Sequence, residues 1–290
     1  MYRDEMKTAD FIVLNMGVRD FIDSAGVNKA LYKRIIADKK EFRRAAASGI
    51  IKVLGKGLFL MPLSSPKKKI FGADALYLYA DESGKVYEGA VFAEFGGVLV
   101  PVHRSEYGSA SVNKLYSLKT RCELKKKCLF AGLCGSVSPA LKAGDVFIPD
   151  SVGIGPALPP EKLKPGDIKI LKVNPSIVKK LAALAGEEAH RSGGSVCTGT
   201  LFTSIYSPDD EAYLYKKGIL KGFSAVDYES YFLLMNSLRK SYGLLAGFVL
   251  AVSNEYSKGQ SLDYLAEKPG NRGSLVNMAN KIAMKAGFIL

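Results

Sequence analysis

Short apolar runs alternate with longer helical stretches from residue 58 onward. Six of the runs have the composition of strands, at residues 58–61, 75–79, 97–102, 128–131, 146–148 and 247–252. Three further segments have the pattern of helices, at residues 109–124, 175–192 and 228–241. Several of the strand candidates are apolar throughout, as expected for strands that are covered on both faces. The order predicts a three-layer α/β/α fold around a mixed, largely parallel sheet.

The amino-terminal part of the chain has a different pattern. Leu31, Ile35 and Ile36 fall on one face of an amphipathic helix, with lysines and arginines on the other face. The pattern predicts two parts, a helical amino-terminal extension at residues 1–56 and one α/β domain at residues 57–290.

The composition is that of an ordinary folded protein, with 48% hydrophobic and 24% charged residues among 290. The chain carries 41 Lys and Arg against 28 Asp and Glu, a formal charge of +13. Because the lysines stand in short, scattered runs without interleaved aromatic residues, we expect a solvated basic surface and no nucleic-acid partner. The first residues lack the apolar stretch of a signal peptide, and no apolar run approaches the ~20 residues that span a bilayer. We therefore expect a cytoplasmic protein without a membrane partner.

A metal site is not expected from the residues that usually build one. The four cysteines form no CxxC pair, and His103 and His190 are the only histidines. This set has too few ligands at too irregular a spacing for a Cys/His zinc site.

Small and polar residues concentrate in three places. The first reads AGLCGSV at residues 131–137 and continues into GDVFIP at 144–149; the second reads GTLFTSIYSPDDE at residues 199–211. The third comprises AVDYES at residues 225–230 and VSNE at 252–255. Taken singly, each segment can be a tight turn or a helix cap.

Together, the order and spacing of these segments resemble the nucleoside phosphorylase superfamily, in particular the hexameric purine nucleoside phosphorylases and the uridine phosphorylases. The likeness is densest from Gly199 to Glu255 and covers about residues 57–290. It implies an enzyme that cleaves the N-glycosidic bond of a nucleoside, with inorganic phosphate as co-substrate and no other cofactor. It also implies a homo-oligomer, either a dimer or a hexamer, because the family builds its sites at subunit interfaces.

The resemblance assigns Glu229 to the ribose, where its carboxylate would accept hydrogen bonds from the 2′- and 3′-hydroxyls. The same charge would stabilise the positive charge that develops on the sugar as the glycosidic bond breaks. The other substrate-binding residues implied by the resemblance are Tyr228 beneath the sugar, Tyr206, Ile205 and Val226 beside the base, and Gly132 and Leu133 in the small-residue loop.

Ser253 and Asn254 occupy the family's Ser-Asp pair, whose aspartate protonates the purine N7 in members that cleave adenosine. Asn254 cannot transfer a proton, but its amide can donate one hydrogen bond and accept another. This favours a base that carries its own negative charge, such as a 6-oxopurine or a pyrimidine, and we expect adenosine to be a poor substrate.

The anion-binding positions depart from the family pattern. Phe130 stands where the family has an arginine before the loop, and Leu133 stands where it has a Thr or Ser. Ser64, Lys67 and Arg104 are the remaining candidates to bind phosphate. Two alternatives follow: a hydrolytic nucleosidase of the same superfamily, with Glu106 as a candidate base for water, or a nucleoside-binding protein without catalysis.

Overall fold

The structure is a computed structural model, and it describes residues 9–15, 33–35, 37–55, 58–63, 73–81, 86–104, 108–113, 126–191, 193–238, 243–258 and 271–290. In these ranges the chain forms twelve strands: β1 (Phe11–Asn15), β2 (Lys52–Gly55), β3 (Leu58–Pro62), β4 (Ala75–Asp81), β5 (Val86–Phe95), β6 (Val98–Arg104), β7 (Lys127–Ser136), β8 (Val146–Ile154), β9 (Lys169–Lys172), β10 (Val196–Thr203), β11 (Ala225–Asp227) and β12 (Leu245–Glu255). The same ranges contain five α-helices of nine or more residues: α1 (Lys39–Ala47), α2 (Pro175–Arg191), α3 (Pro208–Lys216), α4 (Ser230–Leu238) and α5 (Asn271–Ile289).

The strands form one mixed sheet in the order β11-β10-β8-β12-β7-β1-β6-β5-β4-β3-β2, with β9 paired to β8. Strands β6, β1, β7 and β12 are parallel neighbours, and so are β8, β10 and β11. All pairings from β2 to β6 are antiparallel. The mixed sheet is as predicted, but the expectation that it is largely parallel is wrong for this half. Only two residues separate β5 from β6, too few for the helical crossover that a parallel pair requires.

The predicted strands and helices after residue 57 are mostly confirmed. Each of the six predicted strands overlaps an observed strand, and the helix predicted at residues 175–192 is α2. The helix predicted at 228–241 begins later, at Ser230, and is described as far as Leu238. Most of the segment 109–124 lies outside the described residues.

The helical interpretation of residues 1–56 is corrected by β1. Helix α1 is present, but β1 is an inner strand that pairs with β6 on one side and β7 on the other, and β2 is also a strand. Phe11 and its neighbours through Leu14 are completely buried. A short, continuous apolar run of this kind is typical of a strand with both faces covered. The described residues of this region therefore include part of the central sheet rather than a separate helical extension.

Both faces of the central strands are covered by helices. On one face, α2 and α5 contribute Ile177, Leu181 and Ile282 to a core shared with Leu129 of β7 and Val249 of β12. On the other face, α4 packs onto side chains of the same two strands, including those of Phe130 and Phe248. Within the described ranges, no helix has the length and apolar character needed to cross a membrane.

The contact between α5 and β1 gives a stability prediction. A Cβ on Gly287 would overlap the ring of Phe11, which also stacks edge-on with Phe288 at 5.2 Å between ring centroids. Gly287→Ala should therefore lower the free energy of unfolding by about 1–3 kcal/mol, the usual range for overpacking a core. The change in the free energy of unfolding is measured by urea denaturation, with circular dichroism as the signal.

The matched control is Gly186→Ala in the exposed middle of α2, where a Cβ would meet no atom within 4 Å. This substitution should raise stability by about 0.5–1 kcal/mol, because alanine favours helix more than glycine does. Equal stability changes in the two variants would contradict the packing of α5 against β1.

Candidate functional site

The motif segments meet at one end of the sheet. Gly135, near the end of β7, pairs with Val226 of β11 on one side and with Asn254 of β12 on the other. Thr203, the last residue of β10, pairs with Asp227 at the end of β11. Open α/β sheets bind their ligands outside the carboxyl ends of the strands. The sheet therefore brings the ends of β7, β10, β11 and β12 together at the edge where a ligand is expected.

Asn254 is completely buried and has an unused donor. The Ser253 hydroxyl donates to its Oδ1 at 3.0 Å and lies 3.2 Å from the carbonyl oxygen of Cys134. The amide Nδ2 of Asn254 is buried without a hydrogen-bond partner among the described residues. Since leaving a buried donor unsatisfied costs about 1–3 kcal/mol, such a group at a strand end indicates a place for a ligand acceptor.

Position 135 has no space for a side chain larger than that of glycine. A Cβ there would lie 2.8 Å from the ring of Tyr256 and 2.9 Å from Oδ1 of Asn254. Both side chains therefore pack directly on the backbone of β7, and the small-residue turn noted in the sequence provides the space for them.

Glu229 lies between β11 and α4 and is 1% exposed. Its Oε1 accepts a hydrogen bond from the backbone N–H of Gly108 at 3.1 Å. Gly108 has a φ of +56°, a conformation that glycine adopts without strain. Gly108, which follows β6, thus contacts the carboxyl group that the family resemblance implies for ribose binding.

A second buried carboxyl, Asp227, was not predicted as a site residue. It accepts hydrogen bonds from the Thr203 hydroxyl at 2.8 Å, from the Ser230 backbone N–H at 3.0 Å and from the Ser230 hydroxyl. These bonds tie the start of α4 to the end of β10. Glu229 lies in the short connection that they anchor.

The two carboxyls influence each other's ionisation. Burial raises the pKa of Glu229 to about 8, and the negative charge of Asp227 adds to this effect. Burial also raises the pKa of Asp227 to about 6, although the hydrogen bonds from Ser230 and Thr203 oppose the rise. Glu229 is therefore mostly protonated at neutral pH, and a cation placed beside it would favour its ionised form.

The structure brings together two of the three residues that were predicted beside the base. Tyr206 and the completely buried Val226 belong to one hydrophobic cluster, which also contains Phe202 and Tyr256. The Tyr206 hydroxyl donates to the carbonyl oxygen of Pro156 at 3.1 Å. Ile205 is 41% exposed.

Glu211 is a further buried acid that the sequence reading missed, because an acidic residue in the first turn of a helix usually faces solvent. It is completely buried in the first turn of α3, and the Tyr256 hydroxyl donates to its Oε2. Burial raises the pKa of Glu211, and the hydroxyls of Ser204, Tyr256 and Tyr228 oppose the rise; its Oε1 has no hydrogen-bond partner among the described residues. Half-buried Tyr228 is thereby linked to the end of β12.

The predicted anion-binding positions offer no cation where they are described. Phe130 is 1% exposed and packs against Phe248, at 6.2 Å between ring centroids. Leu133, at the family's Thr or Ser position, packs against the core on the side of α2 and α5. Gly132, which was predicted to bind substrate, is buried in β7. The remaining predicted residues, Ser64, Lys67, Glu106 and the side chain of Arg104, lie outside the described residues.

Comparison of the sequence with protein-family models gives no match, and neither does comparison with curated proteins. Comparison of the fold with solved structures gives many matches.

The fold is similar to that of several solved structures named as nucleosidases and to that of a futalosine hydrolase. The 5′-methylthioadenosine/S-adenosylhomocysteine nucleosidase of Helicobacter pylori, bound to butyl-thio-DADMe-Immucillin-A, matches with a TM-score of 0.57 and 15% identity over 99% of this chain and 100% of that one. Futalosine hydrolase of Helicobacter pylori strain 26695 matches with a TM-score of 0.55 and 14% identity over 98% of both chains. The corresponding Neisseria meningitidis nucleosidase, in complex with methylthio-immucillin-A, gives a TM-score of 0.52 and 11% identity over 98% of both chains. At these sequence identities, the comparison shows similarity of fold alone.

Proposed function

We propose that this protein cleaves the N-glycosidic bond of a nucleoside, with water as the nucleophile. The observation that carries the proposal is the buried Nδ2 of Asn254, which has no partner among the described residues and lies at the same end of the sheet as the buried carboxyl of Glu229. A donor for the departing base and an acceptor for the sugar hydroxyls are two of the polar groups that this reaction uses, and Glu106 is the candidate base for the water.

In the proposed reaction, the bond between C1′ and the base nitrogen breaks and its electron pair moves onto the base. The Asn254 amide would donate a hydrogen bond to the base and stabilise that charge, while Ser253 holds Oδ1 and so orients the amide. Ionised Glu229 would accept bonds from the ribose hydroxyls and stabilise the cationic sugar. Water then adds to C1′, and its proton passes to the base or to solvent, which yields free base and free ribose.

Two observations favour water as the nucleophile, although the family resemblance led us to expect phosphate. The arginine position of the phosphorylases is filled by Phe130, whose side chain is buried in the core. Three solved structures with a similar fold carry the names nucleosidase or hydrolase. Phosphorolysis would require the phosphate ligands to come from Ser64, Lys67 and Arg104.

The neutral amide at position 254 supports a 6-oxopurine or pyrimidine nucleoside as substrate, since it cannot protonate an adenine. The similar structures include nucleosidases named for 5′-methylthioadenosine, so this adenine nucleoside is the most informative competitor in a test. We also propose a homo-oligomer, a dimer or a hexamer, as the working assembly.

A panel of nucleosides tests the proposal. Inosine, guanosine, uridine, adenosine and 5′-methylthioadenosine are incubated with the protein with and without phosphate, and released base and sugar are quantified. We expect free base and free ribose at a rate that phosphate does not change, with inosine, guanosine or uridine ahead of adenosine. Ribose 1-phosphate would favour the phosphorylase, and nucleoside binding without any base release would favour a non-catalytic binding protein.

A further inference from the structure

We propose that Glu211 is a positioning residue of the nucleoside site, which holds Tyr256 and Tyr228 in place through their hydroxyl groups. This inference rests on the proposed function and adds to it a residue that contacts neither the base nor the sugar.

The placement of Glu211 is unusual for an acid at a helix start. Its neighbour Asp209 is exposed and Asp210 bonds to the capping Ser207, as first-turn acids commonly do. Glu211 is instead turned inward and completely buried. Burial of a carboxyl group is unfavourable unless hydrogen bonds compensate for it, so its partners have to be held in place.

The first partner connects Glu211 to Asn254. The Tyr256 hydroxyl donates to Oε2 of Glu211, and the ring of Tyr256 lies against the backbone of Gly135. The amide of Asn254 rests on the same glycine. The bond to Glu211 therefore fixes the ring next to the amide that we assign to the departing base.

The other partners connect Glu211 to the sugar and base sides of the site. The hydroxyls of Tyr228 and Ser204 also interact with its carboxyl group and lower its pKa, while Oε1 is buried without a hydrogen-bond partner among the described residues. Tyr228 directly precedes Glu229, and Ser204 directly precedes the loop with Tyr206. One carboxylate can accept about four hydrogen bonds, so a single side chain can link the segments that follow β10, β11 and β12.

A double-mutant cycle tests the inference with the most active nucleoside of the panel. Glu211→Ala should lower kcat/KM by about a hundredfold, because small displacements of positioned groups have effects of that size. Tyr256→Phe should lower it by about tenfold on the same grounds. The double variant should be no slower than Glu211→Ala alone, since both changes break the same contact. Glu211→Gln, which keeps an acceptor oxygen, should recover most of the activity.

The matched control is Tyr77→Phe in β4, which removes another tyrosine hydroxyl that donates to a glutamate, Glu94, at 2.6 Å. This control should leave kcat/KM unchanged. Circular dichroism verifies that each variant is folded, and if Glu211→Ala does not fold, the cycle is run with Glu211→Met, which fills the same space without an acceptor oxygen.

The outcomes separate the inference from the proposed function. Losses that multiply in the double variant, or wild-type activity in Glu211→Ala, would overturn the positioning role alone. A wild-type protein that releases no base from any nucleoside would overturn the proposed function and this inference with it.

Discussion

Glu229→Gln should lower kcat/KM for the best nucleoside of the panel by about a thousandfold, the upper end of what removal of one charge-stabilising group causes. Glutamine keeps the shape of the side chain and can still bond to the Gly108 N–H, but it cannot acquire the negative charge that stabilises a cationic sugar. Steady-state kinetics of base release at pH 8 measures the effect.

Glu188→Gln is the matched control for this substitution. Glu188 is a buried carboxyl between α2 and α5, paired with Lys281 and Lys285. Its replacement should lower thermal stability without a change in kcat/KM. A near-normal rate for Glu229→Gln would remove Glu229 from the proposed reaction.

Activity and stability should depend on pH in opposite directions, because both depend on the ionisation of Glu229. The pKa of Glu229 is raised from an ordinary value of 4.5 to about 8. The folded protein therefore keeps a proton that the unfolded chain releases, and this contribution to stability is complete below pH 4.5 and is lost as the pH rises to about 8. The value of kcat/KM should increase over this range and level off above pH 8, because it reports the ionisation of the free enzyme.

The profile is measured on the wild type and on Glu229→Gln. In the variant, the rise of kcat/KM towards pH 8 should vanish and the loss of stability with pH should be smaller. An activity profile of the wild type that falls across this range would contradict the role of ionised Glu229.

The second large effect is expected for Asn254→Ala. It should lower kcat by about a hundredfold, since it removes the donor that we propose for the departing base. Asn254→Asp should change specificity: a carboxyl group can protonate an adenine, so cleavage of adenosine relative to inosine should rise by at least about tenfold. Rates for both nucleosides are compared between about pH 5 and 8, because a carboxyl group whose pKa is raised by burial changes its charge in this range.

The control for this pair is Asn280→Ala in α5. Asn280 is a completely buried amide whose Nδ2 donates to the carbonyl oxygen of Val276 at 2.9 Å. The Asn280→Ala substitution should lower the free energy of unfolding and leave the ratio of adenosine cleavage to inosine cleavage unchanged. An unaltered ratio in Asn254→Asp would show that position 254 does not select the base.

Strands could be predicted from the sequence where a single local pattern determines the structure. Continuous apolar runs identified β7, β8 and β12, because strands covered on both faces need apolar side chains throughout. The same signal was present at β1, but the strongly helical residues around α1 outweighed a run of only five residues. Which runs pair in parallel was not predictable from local patterns, and the antiparallel half was missed for that reason.

The site was predictable only in part, because burial depends on contacts between distant parts of the chain. The resemblance singled out Glu229 and Asn254, and the structure places both at the same end of the sheet. Asp227 and Glu211 were missed, since nothing in a local acidic sequence distinguishes a helix-capping acid from one turned into the core. The β11–β7 pairing, between residues some ninety positions apart (Val226 and Gly135), has no local signal either.

The most direct measurement is a crystal structure of the protein with a C-nucleoside, whose carbon–carbon link between base and sugar cannot be hydrolysed. The account predicts ribose hydroxyls at about 2.5–3.0 Å from the Glu229 carboxyl group and a base acceptor at about 2.7–3.2 Å from Nδ2 of Asn254. A ligand bound elsewhere, with neither side chain in contact, would contradict it.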